Sequence, residues 1–108
     1  MSASMEKLTA YLELSRPING LIAFISVFLG AMFARGIGLA GMDTFIVAIS
    51  ALLILSAGNG FNDYCDHEID RINKPQRPIP SGRIKRHEAL IFSLVLLGLG
   101  TGLGFLVN

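Results

Sequence analysis

The sequence predicts an all-α membrane protein with three transmembrane helices, and three observations predict it. First, 52% of the 108 residues are hydrophobic and the mean hydropathy is +0.58, more apolar than a soluble domain of this size needs to be. Second, three uncharged runs, 17–34, 44–62 and 89–108, each approach the roughly 20 residues that cross about 30 Å of hydrocarbon. They are apolar all round, which excludes ordinary amphipathic surface helices. Third, the charges gather between these runs. No composition shift or low-complexity linker interrupts the chain, so residues 1–108 read as a single membrane domain.

Before the first run, Met5, Leu8 and Leu12 recur at helical spacing among Glu6, Lys7 and Glu13. That pattern predicts a short helix lying on the membrane interface. Arg16-Pro17 then turns the chain inward, and Pro17 suits a helix start because its missing N–H would be unpaired there anyway. Asn19 falls in the first turn of the span, either bonding a neighbouring helix or facing a polar cavity. A cleaved signal peptide is excluded: the apolar region is too long, Glu6 and Glu13 precede it, and no small-residue cleavage site follows.

Gly36, Gly38 and Gly41 make the first loop short and flexible, and Asp43 is placed to cap the second helix. That helix ends in Ser56, Ala57, Gly58 and Gly60, small residues that allow close helix approach. Asn59 lies one turn before Asp63. The third span carries Gly98, Gly100, Gly102 and Gly104, two overlapping GxxxG patterns that call for a close helical partner. Cys65, the lone cysteine, has no partner for an internal disulfide and reads as a small filler near a helix end.

Nine Lys and Arg residues set the orientation. Lys7, Arg16, Arg71, Lys74, Arg77, Arg83, Lys85 and Arg86 share one side, leaving only Arg35 on the other. The positive-inside rule puts the N-terminus and the second loop in the cytoplasm of a multi-pass cell-membrane protein, with Asn108 near the opposite face. A net charge of +1 gives no general attraction for nucleic acid.

The chemistry gathers after the second span, in Asn62-Asp63-x-x-Asp66-x-x-x-Asp70. Carboxylates at the mouth of a membrane helix are expensive unless a cation or water meets them. At about 100° per residue, Asn62, Asp63, Asp66 and Asp70 fall within roughly a 100° arc, with Glu68 pointing away. Like charges so placed repel by a few tenths of a kcal/mol per pair, so a cation is expected on that face. Mg²⁺ fits, since it takes one or two carboxylates and completes its shell with phosphate oxygens and water. Arg71, Lys74 and Arg77 follow within the loop, and guanidinium and ammonium groups suit the other side of a diphosphate. Topology alone would account for the basic residues but not for the aligned acids.

A diphosphate at a membrane mouth implies a substrate with its head in water and its tail in lipid. The corresponding reaction is ionisation to pyrophosphate and an allylic cation, helped by charge stabilisation and metal Lewis acidity.

The run from Asn62 to Asp70, followed by Arg71-Ile72-Asn73-Lys74-Pro75-Gln76-Arg77-Pro78-Ile79-Pro80-Ser81-Gly82, resembles the first Asp-rich motif of the UbiA-type intramembrane prenyltransferases. Arg16-Pro17 matches that family's N-terminal pattern. The opening Tyr11-Leu12-Glu13-Leu14-Ser15-Arg16-Pro17 and the loop look most like the family's archaeal-type geranylgeranylglyceryl-phosphate geranylgeranyltransferases. The chlorophyll synthases come close behind, and the aromatic-acid enzymes of quinone synthesis third.

The resemblance implies a Mg²⁺-dependent transfer of a geranylgeranyl-like group from a prenyl diphosphate to a lipid-like acceptor such as geranylgeranylglyceryl phosphate. It assigns Asn62, Asp66 and Asp70, with Asp63 adjacent, to Mg²⁺–diphosphate, and Asp66 and Asp70 to catalysis. Arg71 and Arg77, with Lys74, would contact the diphosphate, while Arg16, Asn19 and Asn59 are candidates for the cavity. Family members have about nine membrane helices and a second Asp-rich motif. Here the aspartates are Asp43, Asp63, Asp66 and Asp70, leaving none for that motif. The chain therefore reads as the N-terminal third of such an enzyme, needing C-terminal helices or a complementing subunit. The alternative is a non-catalytic, truncated membrane module.

Overall fold

The computed structural model describes residues 3–35 and 41–107. Among them the order is α1 (Ala3–Ser15), α2 (Pro17–Arg35), α3 (Met42–Cys65), α4 (His67–Asn73) and α5 (Arg86–Phe105). The helices α2, α3 and α5 are each long and apolar enough to cross a membrane, so the all-α, three-span expectation holds. Gly36, Gly38 and Asn108 lie outside the described residues.

The helix α3 is central, packed against α5 on one side and α2 on the other. Small residues set these approaches. At Gly100 of α5, a Cβ would come 2.8 Å from Ile54 Cγ1 and 3.0 Å from the Ser50 carbonyl. The Ser50 hydroxyl donates to the Gly100 carbonyl at 2.5 Å, an interhelical bond that lipid cannot replace. Gly104 also faces Ser50, whereas Gly98 and Gly102 open onto space. Only one of the two GxxxG patterns is thus spent on α3. Gly20 packs on Leu52 and Ser56 in the same way, seating α2 on α3.

The short helix predicted before the first span is present as α1, with Met5, Leu8 and Leu12 all more than half exposed. Its other face supplies Ala10 and Leu14 to a small core with Ile79, Ile84 and Ala89, flanked by Tyr11, Tyr64 and Phe92. The Pro-rich loop is therefore folded back under α1, with Pro78 and Ile84 almost completely buried. Two ion pairs fasten the arrangement: Lys7 to Glu88 at 2.8 Å and Arg83 to Glu13 at 2.7 Å. Gly82 turns the loop at φ +83°, a conformation that favours glycine.

Two local expectations need correction. Asp43 does not cap α3: Gly41 is the N-cap and Asp43 sits in the first turn, because the helix starts one residue before it. Its charge still lies at the favourable end of the helix dipole. The third membrane helix begins at Arg86 rather than Ala89, because Glu88 reaches back to accept the Lys85 N–H at 3.1 Å. That contact satisfies one of the orphan donors at the helix start.

Candidate functional site

The site is assembled where α1 ends, α2 begins and α3 ends. The chain leaves α1 at Arg16 with φ 52°, a left-handed conformation that is uncommon outside glycine. This turn carries the Arg16 side chain to Asp63, where Nη2 donates to Oδ1 at 2.8 Å. Arg77 arrives from the Pro-rich loop and donates from its own Nη2 to the same oxygen at 3.2 Å. Asp63 is 3% exposed, so two cations hold one carboxylate buried at the mouth of a membrane helix. Asn59, one turn earlier, donates from Nδ2 to the Ser15 carbonyl at 3.1 Å and thereby closes the C-terminal end of α1.

The remaining acidic residues lie beyond a break in the helix. The helix α3 stops at Cys65, Asp66 occupies the junction at φ −93° and ψ 10°, and α4 runs from His67. Helical hydrogen bonding carries across the junction, Asp66 N–H to the Asn62 carbonyl at 2.9 Å and Asp70 N–H to the Asp66 carbonyl at 2.8 Å. Asn62 and Asp66 are exposed, Asp70 is buried, and Asp70 is near enough for its charge to act on Asp63. The continuous four-residue face expected from helical spacing is thus divided. Asn62 and Asp66 face outward, while Asp63 turns in toward the two arginines.

Among the described residues, no three Asp, Glu, His or Cys side chains converge into a closed metal cage. Mg²⁺ does not require one, since it keeps several waters and takes one or two carboxylates beside substrate phosphates. Asn62, Asp66 and Asp70 are the sequence-predicted candidates for such an open set, with Asn62 and Asp66 exposed and Asp70 buried. Asp63 is already shared by two guanidiniums.

Of the basic residues, Arg71 and Lys74 are exposed on α4 and at its end, and Arg77 is half-buried against Asp63. Asn19 is exposed in the first turn of α2. Sequence reasoning brought together Asp63 and Arg77 only as members of a general phosphate site, and Arg16 only as a cavity candidate. The convergence of all three on one oxygen has no local period to reveal it.

A second feature absent from the spacing argument is the clamp on the loop. Arg83 donates from Nη1 and Nη2 to the two Glu13 oxygens at 3.0 and 2.7 Å. It also donates to the Gln76 carbonyl at 2.7 Å and the Ser81 hydroxyl at 3.1 Å. The hydrogen bonds from Arg83 hold the Glu13 carboxyl below the usual carboxylate range. Nearby, the Arg86 guanidinium lies over the Tyr64 ring, 4.2 Å from its centroid, joining the start of α5 to the end of α3.

Known proteins share this architecture. Residues 23–108 match the UbiA prenyltransferase family. Digeranylgeranylglyceryl phosphate synthase of Methanothermobacter thermautotrophicus is 43% identical over 98 residues, covering 88% of this chain and 33% of that protein. The Methanocaldococcus jannaschii protein of the same name is 42% identical over 108 residues, covering all of this chain and 38% of its own length. A solved structure from work on digeranylgeranylglyceryl phosphate synthase in membranes superposes with a TM-score of 0.90 at 42% identity, over 95% of this chain and 37% of the other. The chain therefore spans between a third and two fifths of the length of these relatives.

Proposed function

The chain belongs to the UbiA prenyltransferase family, and from that premise we propose that it forms part of an enzyme transferring a geranylgeranyl-like group from a prenyl diphosphate to a membrane lipid acceptor. Its similarity to digeranylgeranylglyceryl phosphate synthases favours geranylgeranylglyceryl phosphate as that acceptor, and ether-lipid synthesis as the setting. The observation that carries the reading is the acidic run Asn62, Asp66 and Asp70 across the α3–α4 junction, in the same motif as Asp63, whose carboxylate Arg16 and Arg77 share. The catalytic work is assigned to this face in company with further helices, supplied by additional chain or by a complementing subunit.

In this reading Asn62, Asp66 and Asp70 would hold Mg²⁺, while Arg71, Lys74 and Arg77 contact the diphosphate oxygens. When bound there, Mg²⁺ would supply Lewis acidity toward the diphosphate. The chain's own part is to gather charge where charge develops. As the carbon–oxygen bond of the prenyl diphosphate breaks, its electron pair leaves with pyrophosphate, and the nearby guanidinium and ammonium groups stabilise it. The allylic cation is then trapped by the acceptor's nucleophilic oxygen, which loses its proton. The apolar flanks of α3 and α5 keep the prenyl tail in lipid and water away from the cation. Eight basic residues on one side of the spans orient this face toward the cytoplasm.

The test is Mg²⁺-dependent binding of geranylgeranyl diphosphate to membranes reconstituted with this chain and any helices that co-purify with it. Asp66→Asn should abolish the Mg²⁺-dependent part. Unchanged binding in that variant would remove the enzymatic assignment and leave a packing module.

A further inference from the structure

Asp63 stands within the acidic motif but is built differently from its neighbours. Its Oδ1 accepts from both Arg16 and Arg77, and its Oδ2 is buried without a hydrogen-bond partner. The carboxylate is at the back of the cluster, with its side chain only 4% exposed, while the Arg16 and Arg77 side chains in front of it keep 31% and 23%. A divalent cation placed on this carboxylate would sit against two guanidiniums. Like charges at such close range repel strongly even where the protein's effective dielectric constant is about 20.

The backbone supports the same division of labour. The left-handed Arg16, φ 52°, is a strained conformation that persists only where its surroundings impose it. What it achieves is delivery of the Arg16 guanidinium to Asp63 from a different helix. A guanidinium has five N–H donors. Each arginine gives Asp63 one bond from Nη2 and buries its Nε without a partner, so the donors left for another anion are at the outer, Nη ends of the two guanidiniums. Two cations on one carboxylate leave a single positive charge over.

From this geometry we infer that Asp63 is a positioning residue, which holds Arg16 and Arg77 side by side to receive a phosphate group, and is not itself a metal ligand. The inference deepens the proposed function and rests on it. Arg16, which spacing left as a cavity candidate, becomes a phosphate contact. Metal and phosphate recognition then divide between adjacent residues of one motif: Asn62, Asp66 and Asp70 for Mg²⁺, and Asp63 for the arginines.

The experiment measures inorganic pyrophosphate binding to the full chain in lipid nanodiscs, at scarce and at saturating Mg²⁺. Asp63→Asn should weaken binding by about tenfold or more at both Mg²⁺ levels, as loss of a charged hydrogen-bond arrangement does. Its fold-gain on adding Mg²⁺ should remain that of the wild type. Asp63→Glu, which keeps the charge, should recover part of the affinity. Arg16→Gln and Arg77→Gln, which leave Asp63 one partner each and so test the cluster without emptying it, should also weaken binding at both levels. Asp66→Asn should instead lose the gain.

An Asp63→Asn variant that loses the Mg²⁺ gain as Asp66→Asn does would make Asp63 a ligand and overturn the inference. Wild-type affinity in both arginine variants would overturn it as well, as would a wild-type chain that binds no pyrophosphate. Failure of the broader proposal looks different: the wild type would show no Mg²⁺ gain, while the arginine and Asp63 variants at scarce Mg²⁺ would still decide the role of Asp63.

Discussion

Arg83 grips Glu13 through both terminal nitrogens, at 3.0 and 2.7 Å, and so fastens the Pro-rich loop to the interfacial helix. The geometry is bidentate, the strongest form of a carboxylate–guanidinium contact. The same guanidinium binds Gln76 and Ser81, so it organises the loop internally as well as anchoring it. Arg83→Lys keeps the charge but loses the fork. The expected outcome is faster amide hydrogen exchange over residues 74–85, with a global stability loss below about 1 kcal/mol because the pair is partly exposed. Unchanged exchange in the loop would mean that the buried Pro78, Ile79 and Ile84 hold it without the clamp.

The clamp also has a pH dependence with a defined sign. Hydrogen bonds from Arg83 lower the Glu13 pKa in the folded chain. The contact's stabilising contribution is therefore fully present above the unfolded glutamate value, about 4.3. It is lost as the pH falls through the lower folded value. The loop's opening equilibrium, read as the exchange rate divided by the intrinsic amide rate at each pH, should be flat from neutrality to about pH 5 and should rise in more acidic buffer. Glu13→Gln should remove that rise. A rise of the same size in the variant would assign it to another carboxylate.

Asp66→Asn tests the metal-binding half of the site. Asp66 is exposed at the junction of α3 and α4, so the substitution leaves packing untouched and should alter thermal stability by no more than about 0.5 kcal/mol. Its effect should fall on Mg²⁺-dependent diphosphate binding, with a loss of at least about tenfold. Calorimetry with and without Mg²⁺, beside a thermal melt, separates the two. A large drop in melting temperature would show that Asp66 is needed for the α3–α4 junction itself.

The spans were legible because membrane helices are apolar on every side, and that signal survives without knowledge of neighbours. The face of α1 that carries Met5, Leu8 and Leu12 was legible for the related reason that its period is local. What could not be read was the fate of Asp63. Helical spacing puts it on an arc with Asn62, Asp66 and Asp70, and the spacing is correct for an unbroken helix. The chain changes helix at Asp66, and two arginines from distant segments claim Asp63, one of them 47 residues away. Partners so remote leave no periodic trace. Arg16 was visible only as half of Arg16-Pro17, since the left-handed turn that redirects it depends on packing between α1, α2 and α3. The Gly residues of α5 were legible as packing surface, but which of them meets α3 follows from helix rotation alone.

That rotation makes a paired prediction within one helix. Gly100 and Gly98 lie two residues apart and have equal helix propensity, so Ala at either gains the same intrinsic preference of about 1 kcal/mol. Their surroundings differ. A Cβ at Gly100 would lie 2.8 Å from Ile54 Cγ1, 3.0 Å from the Ser50 carbonyl oxygen and 3.1 Å from Leu53 Cβ, and backbone cannot swing aside as a flexible side chain can. At Gly98 nothing lies within 4 Å. Gly100→Ala must push α5 away from α3 and stretch the Ser50–Gly100 hydrogen bond, with an overpacking cost of about 1–3 kcal/mol. It should be net destabilising in a detergent or bicelle unfolding titration, while Gly98→Ala should be neutral or slightly stabilising. Ser50→Ala, which removes the interhelical bond without crowding the interface, should cost about 0.6 kcal/mol, the usual size of such bonds in membrane helices. Equal stability of the two alanine variants would mean that α5 meets α3 through a different face, and the placement of Gly100 against Ser50 would have to be given up.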